Sequence, residues 1–189
     1  MQMAEYQPLA MRTSPQGHDR IRNGCLGLIG ESGEIIDVIK KWEFQSGDGA
    51  KLPTEKIVDE CGDVLWYCAE LSTGLGVMMI DLWEKLSDGF YADLNPLNEA
   101  TDRIDIVAAR LCFACGKPFN VLFEPTFDAP QEWREAQAKA QIVGIMVTVQ
   151  DILGRCCATL EEAMEINIAK LRRRYPDGFD PERSLHRND

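Results

Sequence analysis

Two segments of this chain each carry a pair of acidic residues spaced three positions apart. Glu31 and Glu34 form the first pair, and Glu60 and Asp63 form the second. Residues at this spacing share one face of an α-helix, and here that face also carries the apolar residues expected to enter the core. Two like charges about 4 Å apart repel by roughly 4 kcal/mol at an effective dielectric near 20. If the two helices pack together, the acids must therefore either hold protons or be neutralised by cations.

A site built only from carboxylate oxygens suits Mg²⁺, with Mn²⁺ as an alternative. A di-iron site in a helical bundle would require Glu-x-x-His motifs, and neither His18 nor His186 stands in one. The alternative interpretation is a pair of ordinary amphipathic helices whose acids form ion pairs with Lys40, Lys41 or Lys56.

A basic helix near the C-terminus is the second candidate for chemistry. The segment from Thr159 to Glu162 has the pattern of a capping box that starts this helix. Asn167, Lys170 and Arg174 then lie on one face, so they could donate hydrogen bonds to phosphate oxygens. Cations at a helix C-terminus also stabilise the helix dipole, and a solvated charged face is therefore the alternative.

The elements that must position these residues are all helical, because no segment has a strand pattern long enough to build a sheet. Up to seven helices are expected, over about residues 4–12, 18–42, 53–71, 79–90, 98–115, 131–157 and 159–175. We therefore predict an all-α fold, a bundle of about five to seven helices with a metal site between two antiparallel helices. Gly24 and Gly27 lie near the Glu31 side of the first acidic helix, where they would admit either a neighbouring helix or a ligand.

Prolines predict three breaks in this pattern. Pro8 is expected to interrupt the first helix, and Asn95-Pro96 is expected to end the helix that contains residues 79–90. The proline-rich segment 117–130 is expected to be a loop.

Composition restricts the function classes. The chain has 189 residues, enough for one domain, and a formal net charge of −11, which argues against a general nucleic-acid or anionic-membrane surface. No apolar run suggests a membrane-spanning helix, and the polar N-terminal segment does not resemble a signal peptide, so a cytoplasmic location is expected.

The seven cysteines are an odd number scattered through helical patterns, which does not favour a disulfide framework. Cys112, Cys115, Cys156 and Cys157 could form a four-thiolate zinc site. They also continue apolar helical series, so we interpret them as small core residues.

Three segments resemble, in order, the motifs of the MazG-like, all-α nucleoside triphosphate pyrophosphohydrolases. They are GLIGESGEIID at 27–37, ECGDVLWY at 60–67 and NIAKLRRRYPDGF at 167–179. The resemblance implies hydrolysis of an NTP or dNTP to the monophosphate and pyrophosphate. It also implies Mg²⁺ held by catalytic acids and a substrate bound by the last helix. The residues concerned are Glu31, Glu34, Glu60 and Asp63 for the metal and Asn167, Lys170, Arg174 and Tyr175 for the substrate.

The chain differs from short members of that family by a helical insertion at about 76–158 within a single domain at 1–189. Short members assemble as oligomers, so a homodimer is one expectation, and the insertion would otherwise replace the neighbouring chain or cover the site. The base is expected near Tyr6, Gln7 and Thr13. The competing functions are a non-catalytic metal-binding bundle and an interaction protein.

Overall fold

The helical content follows the predicted pattern. The computed structural model describes residues 1–99, 103–126 and 128–182, which contain seven helices and no strand. This confirms the prediction of an all-α fold. The helices are α1 (Met3–Met11), α2 (Arg20–Gln45), α3 (Thr54–Gly74), α4 (Met79–Glu99), α5 (Ile104–Phe123), α6 (Gln131–Arg155) and α7 (Leu160–Arg174).

Helices α2 and α3 pack side by side and antiparallel, because Gly24 meets Leu71 while Gly27, one turn later, meets Tyr67. A Cβ atom added to Gly27 would lie 2.0 Å from Cε1 of Tyr67, and one added to Gly24 would lie 2.8 Å from Cβ of Leu71. Both glycines therefore admit the neighbouring helix, which was one of the two expectations for them. This close approach brings the two acidic segments face to face.

Helix α7 begins where its sequence predicts. The Thr159 hydroxyl accepts a hydrogen bond from the Glu162 backbone N–H at 3.2 Å, and the Glu162 carboxylate accepts one from the Thr159 N–H at 2.8 Å. The capping box is thus complete. Helix α7 then crosses α3 at Gly62, where an added Cβ would lie 3.0 Å from Cβ of Asn167. Gly62 therefore lets the basic helix approach the second acid pair.

Helices α4, α5 and α6 occupy most of the predicted insertion and form the other side of the bundle. Helix α5 packs on α2 and α6, while α6 also contacts α3, α4 and α7. The buried apolar side chains of all these layers belong to one continuous hydrophobic cluster. The acidic segments of α2 and α3 therefore have a rigid support on their far side.

The predicted proline breaks are wrong. Pro8 lies inside α1, α4 continues through Pro96 to Glu99, and α5 spans Ile104–Phe123 rather than 98–115. Pro118 lies inside α5 and is buried together with Val121 and Leu122. A proline removes one helical hydrogen bond; at Pro118, burial of the apolar face that continues to Leu122 offsets that loss. Residues 117–123 are consequently helix, and the predicted loop is confirmed only for residues 124–126 and 128–130.

The cysteines form no disulfide among the described residues. Cys115 and Cys156 are buried, as expected for core residues, and Cys112 is partly buried with its thiol donating to the Ser32 carbonyl at 3.2 Å. Cys157 is exposed, because it follows the end of α6 with a positive φ of 56°. No group of cysteines in the described ranges converges as a metal site.

Within the residues that the structure describes, one helix is long and apolar enough to cross a membrane. It is α5, with 20 residues and a mean hydropathy of 1.4, although 39% of that window is buried inside the protein. The bent pair formed by α6 and α7 passes the same test only if it is taken as one span. A buried core helix of a soluble protein has the same length and apolarity. The expectation that no segment has this length and apolarity is nevertheless wrong for α5.

Candidate functional site

Three of the four predicted acids converge between α2 and α3. Candidate ligand oxygens of Glu31, Glu60 and Asp63 all lie within 4.8 Å of one another, and all three residues are partly buried. Glu31 comes from α2, and the other two come from α3. We call these three residues the acidic cluster.

The structure does not bring Glu34 into the acidic cluster. Its side chain is exposed, although its charge contributes to raising the pKa of both Glu31 and Glu60. The close approach of α2 and α3 buries the Glu31 side of α2. Glu34 lies one turn further along and toward the rim of that interface.

Burial and mutual repulsion raise the pKa values of the acidic cluster. Burial, followed by the charges of Asp63 and Glu60, raises the pKa of Glu31 from 4.5 to about 7. Burial is also the largest cause of the raised pKa of Glu60 and of Asp63. The anionic form of the cluster is therefore unfavourable without a nearby cation.

Helix α7 supplies one such cation. The Lys170 ammonium lies 2.6 Å from Oδ2 of Asp63 and 2.8 Å from Oδ1 of Asp59. The Asn167 amide donates to Oδ1 of Asp63 at 2.8 Å, and its own Oδ1 accepts from the Tyr6 hydroxyl at 2.9 Å. Asn167 is fully buried. The two predicted donors therefore bind Asp63 and do not form an open basic face.

Sequence reasoning missed Asp59, although its position four residues before Asp63 places both on one helix face. It also missed the partnership of Tyr6 with Asn167, which depends on how α1 docks against α3 and α7.

The two remaining acids are the best fit for a hard divalent cation. Among the described residues, the carboxylates of Glu31 and Glu60 accept no hydrogen bond and form no ion pair, whereas both oxygens of Asp63 accept from α7. Partly buried carboxylates with raised pKa values and free oxygens match the ligand chemistry of Mg²⁺ and Mn²⁺. The metal itself stays a prediction.

A pocket of about 200 Å³ opens beside the acidic cluster. Glu31 and Asp63 form part of its wall, and the predicted substrate residues Arg174 and Tyr175 also line it. The other lining residues are Thr13, Pro15, Asn23, Trp66, Tyr67, Leu171 and Phe179. We call this space the aromatic pocket, because four of its lining residues carry aromatic rings.

Hydrogen bonds fix one of these rings. The Trp66 indole N–H lies 3.1 Å from both the Ala10 carbonyl and the Thr13 hydroxyl. Its ring stands edge-on to Tyr67, with centroids 4.8 Å apart and planes at 84°. The Trp66 ring is therefore held by the end of α1 and by the segment that follows it.

Of the three N-terminal residues expected near the base of the substrate, only one lines the aromatic pocket. Thr13 lines the aromatic pocket, but Tyr6 and Gln7 do not. Gln7 is buried near the C-terminal end of α3. Its amide N–H donates to the Thr73 hydroxyl and the Val77 carbonyl, and its carbonyl oxygen accepts from the Met79 N–H.

The insertion does not form a lid over this pocket in the part of the chain that the structure describes. None of the lining residues comes from the segment 76–158. Its helices pack behind α2 and α3, because the apolar faces of α5 and α6 complete the core on that side.

Comparison with curated proteins finds an alignment with a phage protein. The chain is 36% identical over 80 residues to the Gene 37 protein of Mycobacterium phage L5, which corresponds to 41% of this chain and 63% of the phage protein. The chain therefore matches less than two thirds of that relative's length. No model of a known protein family matches the chain, and neither does any solved structure.

Proposed function

We propose that this protein is a Mg²⁺-dependent nucleoside triphosphate pyrophosphohydrolase, which converts an NTP or dNTP to the monophosphate and pyrophosphate. The observation that carries the proposal is the position of Glu31 and Asp63, which belong to the acidic cluster and also line the aromatic pocket. Acids that can bind a metal thus lie next to a space suited to a planar base. The resemblance of the three motifs to MazG-like enzymes supports the same choice.

Glu31, Glu60 and Asp63 would hold Mg²⁺, or Mn²⁺ in its place. When bound, the metal would neutralise phosphate charge and lower the pKa of an attacking water. Glu34 is proposed as a further ligand from the rim, since its charge already acts on Glu31. The free oxygens of Glu31 and Glu60 are the groups available to orient or deprotonate that water.

The candidate residues of α7 have two proposed roles. Lys170 is 6% exposed and neutralises Asp63 and Asp59, so it offsets charge within the acidic cluster. Asn167 orients Asp63 through its amide. Arg174 lines the aromatic pocket and is partly exposed, and we propose that its guanidinium would bind phosphate oxygens.

The aromatic pocket would receive the base. Stacking of a base on an aromatic side chain contributes about 1–3 kcal/mol, and Trp66, Tyr67, Tyr175 and Phe179 all line the pocket. The pocket and the acidic cluster share a wall, so one bound nucleotide would place its base in the first and its phosphates at the second.

We further propose that the protein acts in the cytoplasm and forms a homodimer. Leu26 and Ile29 of α2 are 51% and 43% exposed, which leaves apolar surface on that helix for a second copy. Sedimentation velocity would test the dimer; a monomer at micromolar concentration would contradict it.

The function is tested by a screen of the canonical NTPs and dNTPs with Mg²⁺, in which pyrophosphate and orthophosphate are detected separately. Release of pyrophosphate is expected. Orthophosphate alone would contradict the proposal. Metal-dependent melting without hydrolysis would favour a non-catalytic metal-binding bundle, and the absence of both would favour an interaction protein.

A further inference from the structure

A fully buried carboxylate lies outside the acidic cluster, at Glu70 of α3. Its side chain is fully buried and is surrounded by four polar partners. The His18 Nε2 lies 2.5 Å from Oε1, and the Arg20 guanidinium donates to Oε2 at 2.9 Å. The Ser14 hydroxyl donates to Oε1 at 3.1 Å, and the Asn23 amide donates to the same oxygen at 3.4 Å.

This network connects α3 to the segment between α1 and α2. Ser14 and His18 belong to that segment, and the Arg20 guanidinium also donates to the Ser14 hydroxyl at 2.9 Å. Breaking a buried charged pair by removing one partner is strongly destabilising. Glu70 therefore fixes the conformation of the connecting segment.

The same segment forms one wall of the aromatic pocket. Thr13 and Pro15 stand on either side of Ser14, and both line the pocket. Asn23 also lines it, while its amide nitrogen donates to Glu70. That hydrogen bond leaves the Asn23 Oδ1 as an acceptor for an N–H group of a ligand.

Glu70 itself neither lines the aromatic pocket nor belongs to the acidic cluster. Its hydrogen bonds reach the pocket wall through Ser14, whose neighbours Thr13 and Pro15 line the pocket, and through Asn23. We propose that Glu70 is a positioning residue for the base of the substrate. It sets affinity for the base and leaves the acidic cluster unchanged. This inference rests on the proposed function, because it assigns the base to the aromatic pocket.

The test compares Glu70→Gln with Gln7→Met. Gln7 is a matched control, since it is 3% exposed, makes three hydrogen bonds near the C-terminal end of α3 and does not line the pocket. Glu70→Gln should raise KM for the preferred nucleotide about tenfold, the effect of losing one hydrogen bond to the ligand. Its kcat should stay within about twofold, and Gln7→Met should change neither constant.

Inorganic tripolyphosphate separates the base from the phosphates, because it has no base. Its inhibition constant against nucleotide hydrolysis should be the same in Glu70→Gln and wild type. An unchanged KM, an equal rise in this inhibition constant, or an equal KM effect in Gln7→Met would each overturn the proposal. If Glu70→Gln does not fold, Ser14→Ala removes one donor while the Glu70 carboxylate keeps its His18 and Arg20 partners, and it should raise KM in the same selective way.

Binding without turnover separates this proposal from the proposed function. Nucleoside monophosphates should quench the fluorescence of wild-type protein through Trp66, with weaker binding in Glu70→Gln and Ser14→Ala. If wild type hydrolyses no nucleotide but shows this pattern, the proposed function fails and the role of Glu70 stands. If no monophosphate quenches wild type, or if both variants bind like wild type, the role of Glu70 is overturned.

Discussion

Glu31→Gln should make the metal-free protein more stable at neutral and alkaline pH. Burial and the charges of Asp63 and Glu60 raise the pKa of Glu31 from 4.5 to about 7. Each pKa unit corresponds to about 1.4 kcal/mol, so this change corresponds to about 3 kcal/mol of lost stability in the ionised state. Solvent screening at a partly buried site reduces the expected gain in the variant to about 1–2 kcal/mol.

The sign of the pH dependence follows from the direction of the shift. Below about pH 4 the Glu31 carboxyl is protonated in both states, and wild type has no penalty. As the pH rises from 4.5 to about 7, the unfolded chain releases this proton while the folded protein keeps it, so the stability of wild type falls. Above about pH 7 the penalty is complete.

Urea unfolding in EDTA between pH 4 and 9 measures this difference. The two proteins should have similar free energies of unfolding at the acidic end, and the variant should be more stable above pH 7. Glu34→Gln is the control, because its exposed carboxylate should give a smaller difference. A pH-independent difference, or a less stable Glu31→Gln at pH 8, would refute the argument from burial and repulsion.

Three further predictions follow from the same contacts. Saturating Mg²⁺ should raise the midpoint of thermal unfolding by mass action, and an unchanged midpoint would contradict a metal site. Lys170→Ala should lower the free energy of unfolding by about 1–3 kcal/mol and kcat/KM by at least about tenfold. The control is Arg172→Ala, an exposed position on the same helix, which should change kcat/KM little. Equal losses of kcat/KM in the two variants would show that only general charge matters. Gly27→Ala should lower the free energy of unfolding by about 1–3 kcal/mol, because the added methyl group overpacks against Tyr67. Gly30→Ala, with open space around it, should be neutral or stabilising by up to about 1 kcal/mol. Chemical denaturation measures both variants, and equal effects would show that packing is not the cause.

The position of Glu31, Glu60 and Asp63 on apolar helix faces was predictable from helix periodicity alone. Their convergence was predicted on the condition that the two helices pack together, which they do. The capping box at Thr159 was predictable for a similar reason, since it depends only on residues three apart. Local spacing therefore predicted which helix faces carry the acids and where α7 begins.

Other features depend on tertiary packing and could not be read from spacing. The exposure of Glu34 follows from how closely α2 approaches α3, which Gly24 and Gly27 set. The continuation of α5 through Pro118 reflects burial of its apolar face, which outweighs the lost hydrogen bond. The partners of Glu70 come from a segment about fifty residues earlier in the chain.

Phosphorus NMR of one reaction mixture tests the central claim most directly, because it resolves the triphosphate, the nucleoside monophosphate, pyrophosphate and orthophosphate together. With the preferred nucleotide and Mg²⁺, wild type should produce monophosphate and pyrophosphate in equal amounts, and Asp63→Asn or excess EDTA should abolish most of both signals. A nucleoside diphosphate with orthophosphate as the products, or undiminished turnover by Asp63→Asn, would contradict a pyrophosphohydrolase built on the acidic cluster.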